Sequence, residues 1–331
     1  MGADVLSYAE TGAADVTLSG VTEENVVEKV KAAGLAGKAS VKVEGLGVFT
    51  AQKATAKGRL AGKIAIVTGS AQGFGLGIAE AMLAEGAYVV IADLNIDLAA
   101  SVAANLCEKN GAGRAMACKV DVSNEESVEA MIADTVRGFG GLDIFVNNAG
   151  VLKAGNLEEM DVKSFDFVTR INYTAYYICA KYASRVMKLQ HAVCPDAYYD
   201  IIQINSKSGL EGSNKNFAYA GGKFGGIGLT QSFALELVEF NIKVNSICPG
   251  NFYDGPLWSD PEKGLFVQYL KTGKVPGAKT VEDVKKFYEA KTPIKRGCVP
   301  LDVARAIFYI VEQEYETGQA VPVTGGQVML N

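Results

Sequence analysis

The stretch IAIVTGSAQGFGLGIA, Ile64–Ala79, decides the fold. Its first five residues form a short apolar run closed by Gly69, the pattern of a strand buried on both faces. LGIAEAMLAEGA, from Leu76, then takes up helical periodicity. Between strand and helix stand Gly69, Gly73 and Gly75, with Ser70, Gln72 and Phe74 among them. Glycine there permits a tight turn and lets backbone N–H groups approach a pyrophosphate at a helix N-terminus. The next strand, YVVIAD, ends at Asp93. A carboxylate at that place accepts hydrogen bonds from the adenosine ribose and repels a 2′-phosphate. Leu94 follows it, and the glycine loop holds no Arg or Lys, so the expected dinucleotide is NAD(H).

Outward from this unit the alternation continues. DLAASVAANLCEKNG reads as a helix ending at Gly111, with Lys109 in its last turn. AMACKVDV, LDIFVNNAG, YDIIQINS and IKVNSICPG are further strands, with helical stretches between them. The expected fold class is α/β: a Rossmann-type doubly wound parallel sheet with helices on both faces, plus a small N-terminal appendage. Residues 1–58 are read as the appendage and linker, and 59–331 as a single dinucleotide-binding catalytic domain. In the appendage, TEENVVEKVKAAGL is expected as a helix capped by Thr22, ASVKVEGLGVFT as a strand and AQKATAKGRLAG as a linker, with a mobile start. There is no internal repeat.

Composition narrows the function classes. The chain of 331 residues is 49% apolar and 21% charged, which is globular. A net charge of −5 speaks against a nucleic-acid partner. The six cysteines show no Cys-x-x-Cys pair and read as free thiols. His191, the single histidine, can build neither a metal site nor a Ser-His-Asp triad, so no metal is expected. The N-terminus lacks the pattern of a signal peptide or myristoylation site, and no apolar run approaches the ~18 residues of a membrane helix. The expected location is cytoplasmic.

With histidine nearly absent, the sequence INSKSGLEGSNKNFAYAGGKFGG, Ile204–Gly226, supplies another acid–base device. Tyr219 and Lys223 stand four apart, on one face of a helix. An ammonium beside a phenol favours phenolate and lowers its pKa from the ordinary value near ~10. Tyr219 can then take a proton from an alcohol or return one to a ketone. Gly221 and Gly222 inside that helix each cost roughly 1 kcal/mol against alanine, which calls for tight packing against a neighbouring backbone.

Four motifs occur in order: Thr-Gly-x-x-x-Gly-x-Gly at Thr68–Gly75, Asn-Asn-Ala-Gly at Asn147–Gly150, Tyr-x-x-x-Lys at Tyr219–Lys223, and Pro249-Gly250. Together they resemble the short-chain dehydrogenase/reductase superfamily. That resemblance implies an oxidoreductase acting on CH–OH groups. It makes Ser206, thirteen positions before Tyr219, the donor to the substrate oxygen, and Asn172 in RINYTAYY the support of a water linked to the lysine. It places Asp121 and Val122 beside the adenine and Asn147, Asn148, Ala149 and Gly150 along the nucleotide groove. Lys223 would hold the nicotinamide ribose, and Pro249, Gly250 and Phe252 the far wall. Asp254 departs from the family pattern, which commonly has a threonine contacting the carboxamide, so that contact is not expected. A homotetramer built on the helices carrying Asn172 and Tyr219 is also implied.

A narrower resemblance, carried by IIQINSKSG, KFGGIGLTQSFALEL, PIKRGC and TGQAVPVTGGQVML, is to polyol-phosphate dehydrogenases within that superfamily. It implies interconversion of a polyol or polyol phosphate, sorbitol 6-phosphate favoured, and its ketose. A phosphorylated substrate needs cationic partners, and Lys153 and Lys207 are the expected ones, with Lys215, Lys295 and Arg296 as further candidates. The stretch from Leu257 to Lys291 is expected as helices over the substrate, with Trp258 in ordinary packing. VKVEGLGVFT resembles the end of an aldolase domain fused ahead of such dehydrogenases; without histidines before His191, aldolase activity is not expected. Other substrates (another sugar, a steroid-like alcohol, a ketoacyl group) fit the same mechanism. A NAD-sensing or scaffold protein on this fold is the non-enzymatic reading, against which the intact Ser206, Tyr219 and Lys223 speak.

Overall fold

The computed structural model describes residues 4–35, 37–53 and 55–329. The chain begins with β1 (Asp4–Ala9), β2 (Val16–Leu18), α1 (Val26–Ala32), β3 (Ser40–Val43) and β4 (Gly47–Lys53). They form a four-stranded sheet of order β1-β4-β3-β2, in which β4 pairs antiparallel with both β1 and β3. The appendage is thus more structured than its sequence suggests. The expected single strand over Ala39–Thr50 is a hairpin, turned through Glu44–Leu46, and part of the expected linker completes β4. The start expected to be mobile is β1 from Asp4 on, with Met1–Ala3 outside the described residues. Asn25, not Thr22, stands at the N-cap of α1; its side chain accepts from the Thr22 N–H at 2.8 Å.

The second sheet takes β5 (Ile64–Thr68), β6 (Tyr88–Asp93), β7 (Ala115–Lys119), β8 (Ile144–Asn147), β9 (Tyr199–Ile204), β10 (Ile242–Pro249) and β11 (Ala320–Val323). Its order is β11-β10-β9-β8-β5-β6-β7, and all its pairings are parallel. The helices are α2 (Gly73–Ala84), α3 (Ile96–Asn110), α4 (Glu125–Phe139), α5 (Val162–Thr169), α6 (Ala175–Val193), α7 (Phe217–Leu237), α8 (Pro256–Ser259), α9 (Leu265–Lys271), α10 (Val281–Lys291) and α11 (Pro300–Glu312).

Period-two alternation explains why the strands are apolar throughout. Ile66, Val90, Phe145, Ile201 and Val244 pack on one side with residues of α4, α6 and α7. Val67, Val89, Ile144, Ile202 and Ile247 pack on the other with α2, α3 and α11. Both faces are covered, as the sequence of βαβ units requires. The strand order reverses between β5 and β8, which opens a crevice beyond their carboxyl ends, the place where doubly wound sheets bind ligands. The expected helices over Leu257–Lys291 are α8–α10, which pack around Tyr253, Trp258, Phe266, Tyr269 and Val284. Trp258 is buried in ring contacts with Tyr253, Phe266, Tyr269 and Tyr288 at centroid distances of 5.1–5.7 Å, a packing role. No helix among the described residues is long and apolar enough to cross a membrane, and no group of His, Cys, Asp or Glu there could hold a metal.

Candidate active site

The glycine loop is closed by contacts that tolerate no side chain. Gly69 has φ +64°. A Cβ on Gly75 would lie 2.3 Å from the Gly69 carbonyl oxygen and 2.6 Å from Asn148 Nδ2, so only glycine brings the first turn of α2 against β5 and β8. Ser70 lies beneath the loop: its hydroxyl donates to Val67 O at 2.6 Å and accepts the Ala92 N–H at 3.1 Å. The Asp93 carboxylate accepts the Ala71 N–H at 3.1 Å and the Asn95 N–H at 3.0 Å. It therefore shapes the loop, and each oxygen keeps a second lone pair for a ribose hydroxyl. Leu94 is exposed beside it.

Across the crevice, Thr68 joins β5 to the Asn147–Gly150 segment. Its Oγ1 accepts the N–H groups of Asn148 and Ala149, both at 3.0 Å. Asn148 Nδ2 donates back to Thr68 O and Gly69 O at 2.9 and 3.1 Å. Asn147 is buried, and its Oδ1 has no hydrogen-bond partner, an acceptor left for a ligand or a water. Asp121 Oδ1 accepts from the N–H and hydroxyl of Ser123 at 2.9 and 2.7 Å, beside the buried Val122. The rings of Phe74 and Phe252 meet at 4.8 Å, and Gln72 precedes α2 with no capping bond from its side chain. Pro249 ends β10 and Gly250 donates to Val323 O at 2.9 Å. The closed glycine turn, the available Asp93 oxygens and the unpartnered Asn147 acceptor fit a dinucleotide.

Ser206 follows β9. Its Oγ accepts the Ser208 N–H at 3.1 Å, so its own proton is left to donate elsewhere. Tyr219 and Lys223 lie on one face of α7, with Lys223 Nζ 5.5 Å from the Tyr219 ring centroid. Burial pushes the Tyr219 phenol up to about 12, with the Ser206 hydroxyl pulling against it. Burial pulls the Lys223 ammonium down to about 8, and that ammonium donates to Ile204 O at 2.8 Å. This differs from the sequence expectation. In this structure desolvation outweighs any lowering of the phenol by the lysine, and it is the lysine that is brought near working pH.

Asn172 sits in a π-helical turn, Arg170–Thr174, between α5 and α6. Its Oδ1 accepts the Val151 N–H at 3.0 Å and its Nδ2 donates to Val151 O at 2.7 Å. The amide thus pairs with the backbone that follows Gly150, and a Cβ placed on Gly150 would lie 2.9 Å from Asn172 Oδ1 and 3.9 Å from Lys223 Nζ. The helix glycines divide. A Cβ on Gly222 would lie 3.3 Å from Asn172 Cβ and one on Gly226 2.4 Å from Gln203 Nε2, whereas Gly221 faces open space. Close packing is found at Gly222, against a side chain and not the expected backbone, and not at Gly221.

The candidate substrate cations also divide. Lys153 donates to the Ser164 hydroxyl, which donates to Asp161 at 2.9 Å, so this lysine belongs to the start of α5. Lys295 donates to Ala290 O at 3.0 Å and Arg296 is paired with Asp302. Asp254, at the departure from the family pattern, pairs with Lys285 at 3.3 Å. Lys207, half-buried next to Ser206, has its ammonium depressed by burial and raised in part by Glu211.

Two positioning residues escape sequence reasoning. Asn205 donates to Lys223 O at 2.9 Å and accepts the Ser206 N–H at 2.8 Å, coupling the serine to α7. Thr68 belongs to the glycine-loop motif, and only the fold shows that it joins two strands distant in sequence.

The chain matches the profile described as short chain dehydrogenase over residues 63–260. It is 36% identical over 270 residues to sorbitol-6-phosphate 2-dehydrogenase of Escherichia coli K12, covering 81% of this chain and 99% of that one. An uncharacterised oxidoreductase of Bacillus subtilis, YuxG, is 30% identical, covering 80% of this chain but 37% of that protein. The crystal structure of sorbitol-6-phosphate 2-dehydrogenase from Erwinia amylovora superposes with a TM-score of 0.74 at 38% identity, over 80% of this chain and all of that one.

Proposed function

The chain belongs to the short-chain dehydrogenase family, and we propose that within it the protein is an NAD(H)-dependent polyol-phosphate dehydrogenase. Sorbitol 6-phosphate is the favoured substrate and the 2-ketose its product. The observation that carries this reading is the convergence of Ser206, Tyr219 and Lys223 at the carboxyl end of β9, beside a glycine loop governed by Asp93. The names of the two sorbitol-6-phosphate relatives support the substrate class.

The nicotinamide, when bound, supplies the hydride acceptor or donor. The chain's own residues handle the proton and the developing charge. The Ser206 hydroxyl, accepting at Oγ from Ser208, directs its proton to the substrate oxygen. During oxidation Tyr219 takes the alcohol proton as its own phenolic proton is handed on toward the unprotonated Lys223 amine, and during reduction both transfers run in reverse. Lys223, whose ammonium burial pulls down to about 8, is the nearby group that can be unprotonated near neutrality and take up that proton. Asn205 and Asn172 hold the backbone on either side in place. Asp93 selects a free ribose over a 2′-phosphate.

A homotetramer in the cytoplasm completes the proposal. Exposed apolar side chains on α5, α6 and α7 (Phe165, Phe167, Tyr177, Phe224 and Leu235) support self-association through the helices that carry the site. Light scattering on the purified chain tests it; a monomer at micromolar concentration contradicts it.

A panel of sorbitol 6-phosphate, sorbitol, mannitol and ribitol, each with NAD and with NADP, tests the function. Expected is reduction of NAD with sorbitol 6-phosphate above all others. Silence with every polyol removes the substrate reading, and preference for NADP removes the role of Asp93.

A further inference from the structure

Among the described residues beside α8–α10, four lysines from three segments stand within repelling range of one another, and none is in an ion pair. Lys207 follows Ser206 directly, and Lys215 lies in the loop before α7 in a left-handed conformation, φ +59°. Lys274 lies just beyond α9, and Lys291 ends α10. A small cavity is lined by Ala154, Gly155, Glu159, Lys215, Tyr269 and Lys274, with Thr272. Its walls are joined: the Gly155 N–H donates to Lys215 O at 2.9 Å, and Lys274 Nζ donates to Asn214 O at 3.1 Å while lying 4.0 Å from the Tyr269 ring centroid.

Tyr269 links the cavity to the catalytic helix. It is buried, and its hydroxyl accepts from Asn216 Nδ2 at 3.0 Å, three residues before Tyr219. Asn216 is 5% exposed, and its Oδ1 has no hydrogen-bond partner. Among the described residues, no ion pair engages any of the four lysines. The carboxylates nearby are Glu211, which raises Lys207, and Glu159 in the cavity wall. Burial, with repulsion from Lys207, Lys215 and Lys291, brings Lys274 down to about 8. Repulsion of this kind, in a cluster with few carboxylates, is relieved by an anion of matching charge.

We propose that Lys207, Lys215, Lys274 and Lys291 form the site for the substrate's phosphate monoester, one residue from Ser206, with Asn216 Oδ1 accepting from a sugar hydroxyl. This rests on the polyol-phosphate reading and specifies where its phosphate lies. A phosphate monoester carries ≈ −1.5 to −2 charges near pH 7 and several acceptor oxygens, which four ammonium groups with two carboxylates nearby can match. Lys153, whose ammonium is engaged by Ser164 at the start of α5, is not part of this site.

The test is the ratio of kcat/KM for sorbitol 6-phosphate to that for sorbitol in Lys274→Met, Lys291→Met and their double variant. Lys286→Met, an exposed lysine of the same helix paired with Glu282, is the control. Each lysine is expected to lower the ratio about tenfold, the size of one charged hydrogen bond, while Lys286→Met keeps it. Inorganic phosphate is expected to compete with sorbitol 6-phosphate in the wild type and to lose potency in the double variant. An unchanged ratio in variants that still turn over overturns the site. Should the wild type prefer an unphosphorylated alcohol, the substrate reading fails by itself. The site is then judged by thermal denaturation with inorganic phosphate, and a wild-type upshift that the double variant retains, or no upshift at all, overturns it.

Discussion

Two lysines are buried at opposite ends of the same pair of strands, and they are treated in opposite ways. Lys243, in the register position facing Asp200 where β9 and β10 begin, is 3% exposed. Its ammonium lies 3.0 Å from Asp200 Oδ1, at an angle that makes an ion pair without a hydrogen bond to that oxygen. It also donates to the carbonyls of Ile310 and, at 2.8 Å, Gln313, completing the end of α11. Lys223, near the strands' other end, is 4% exposed and donates to one carbonyl, Ile204 O. One charge is paired with a carboxylate and with helix-end carbonyls and holds the fold. The other is left under-compensated, its ammonium brought to about 8, which is what proton chemistry near neutrality requires.

The comparison is broken or sharpened first at Lys223. Lys223→Met is expected to lower kcat/KM by roughly 10²–10⁴-fold, the worth of a general acid–base group. Its stability should be unchanged or raised. The sign follows from linkage: the folded pKa of about 8 lies below the unfolded value of 10.5, so the unfolded state binds more protons and wild-type stability rises with pH from about 8 to 10.5. Denaturant melts of the variant should lack that slope; a variant that is both inactive and strongly destabilised would dissolve the contrast.

Lys243→Met reverses the pattern. Removing one partner of a buried pair costs about 3–5 kcal/mol, with turnover per folded molecule preserved. Burial already pushes Asp200 up to about 6 against the pull of Lys243. Because that folded value exceeds 3.8, the folded state holds the extra proton, and this group's contribution falls as pH rises through roughly 4–6. The variant's loss should therefore be greatest above pH 6 and smaller below it, which urea melts across pH would show.

Smaller effects are expected at the cofactor loop. Gly75→Ala places a methyl group against Gly69 O and Asn148 Nδ2, so NAD affinity should fall while the fold loses on the order of 1–3 kcal/mol from overpacking. Calorimetric titration of NAD checks it. Asn172→Ala frees the Val151 backbone and is expected to raise KM more than it lowers kcat, by about 1–3 kcal/mol in kcat/KM from two unpaired backbone groups.

The main sheet was legible because its signals are local: the apolar run, the glycine turn and the terminal acid of the Ile64–Asp93 unit lie within thirty residues. The helix ending at Gly111 was legible for the same reason. The appendage was read less well, since β1 finds its partner in β4 across forty residues and neither strand carries a strong apolar run. In the site, the four-residue spacing put Tyr219 and Lys223 on one helix face, and the family resemblance pointed to Ser206. It could not show that Lys223 turns to Ile204 O or that Lys274 and Lys291 come within repelling range of Lys207, which depend on how α7–α10 fold back, nor that Lys153 is taken by Ser164, which depends on how the segment after Gly150 meets α5.

The most direct measurement is kcat/KM for sorbitol 6-phosphate oxidation by Tyr219→Phe, with NAD affinity measured alongside. The account predicts a loss of at least about 10²-fold with NAD binding retained, because the phenol oxygen is the proton's destination. Turnover within a few-fold of wild type, in a variant that binds NAD normally, would contradict it.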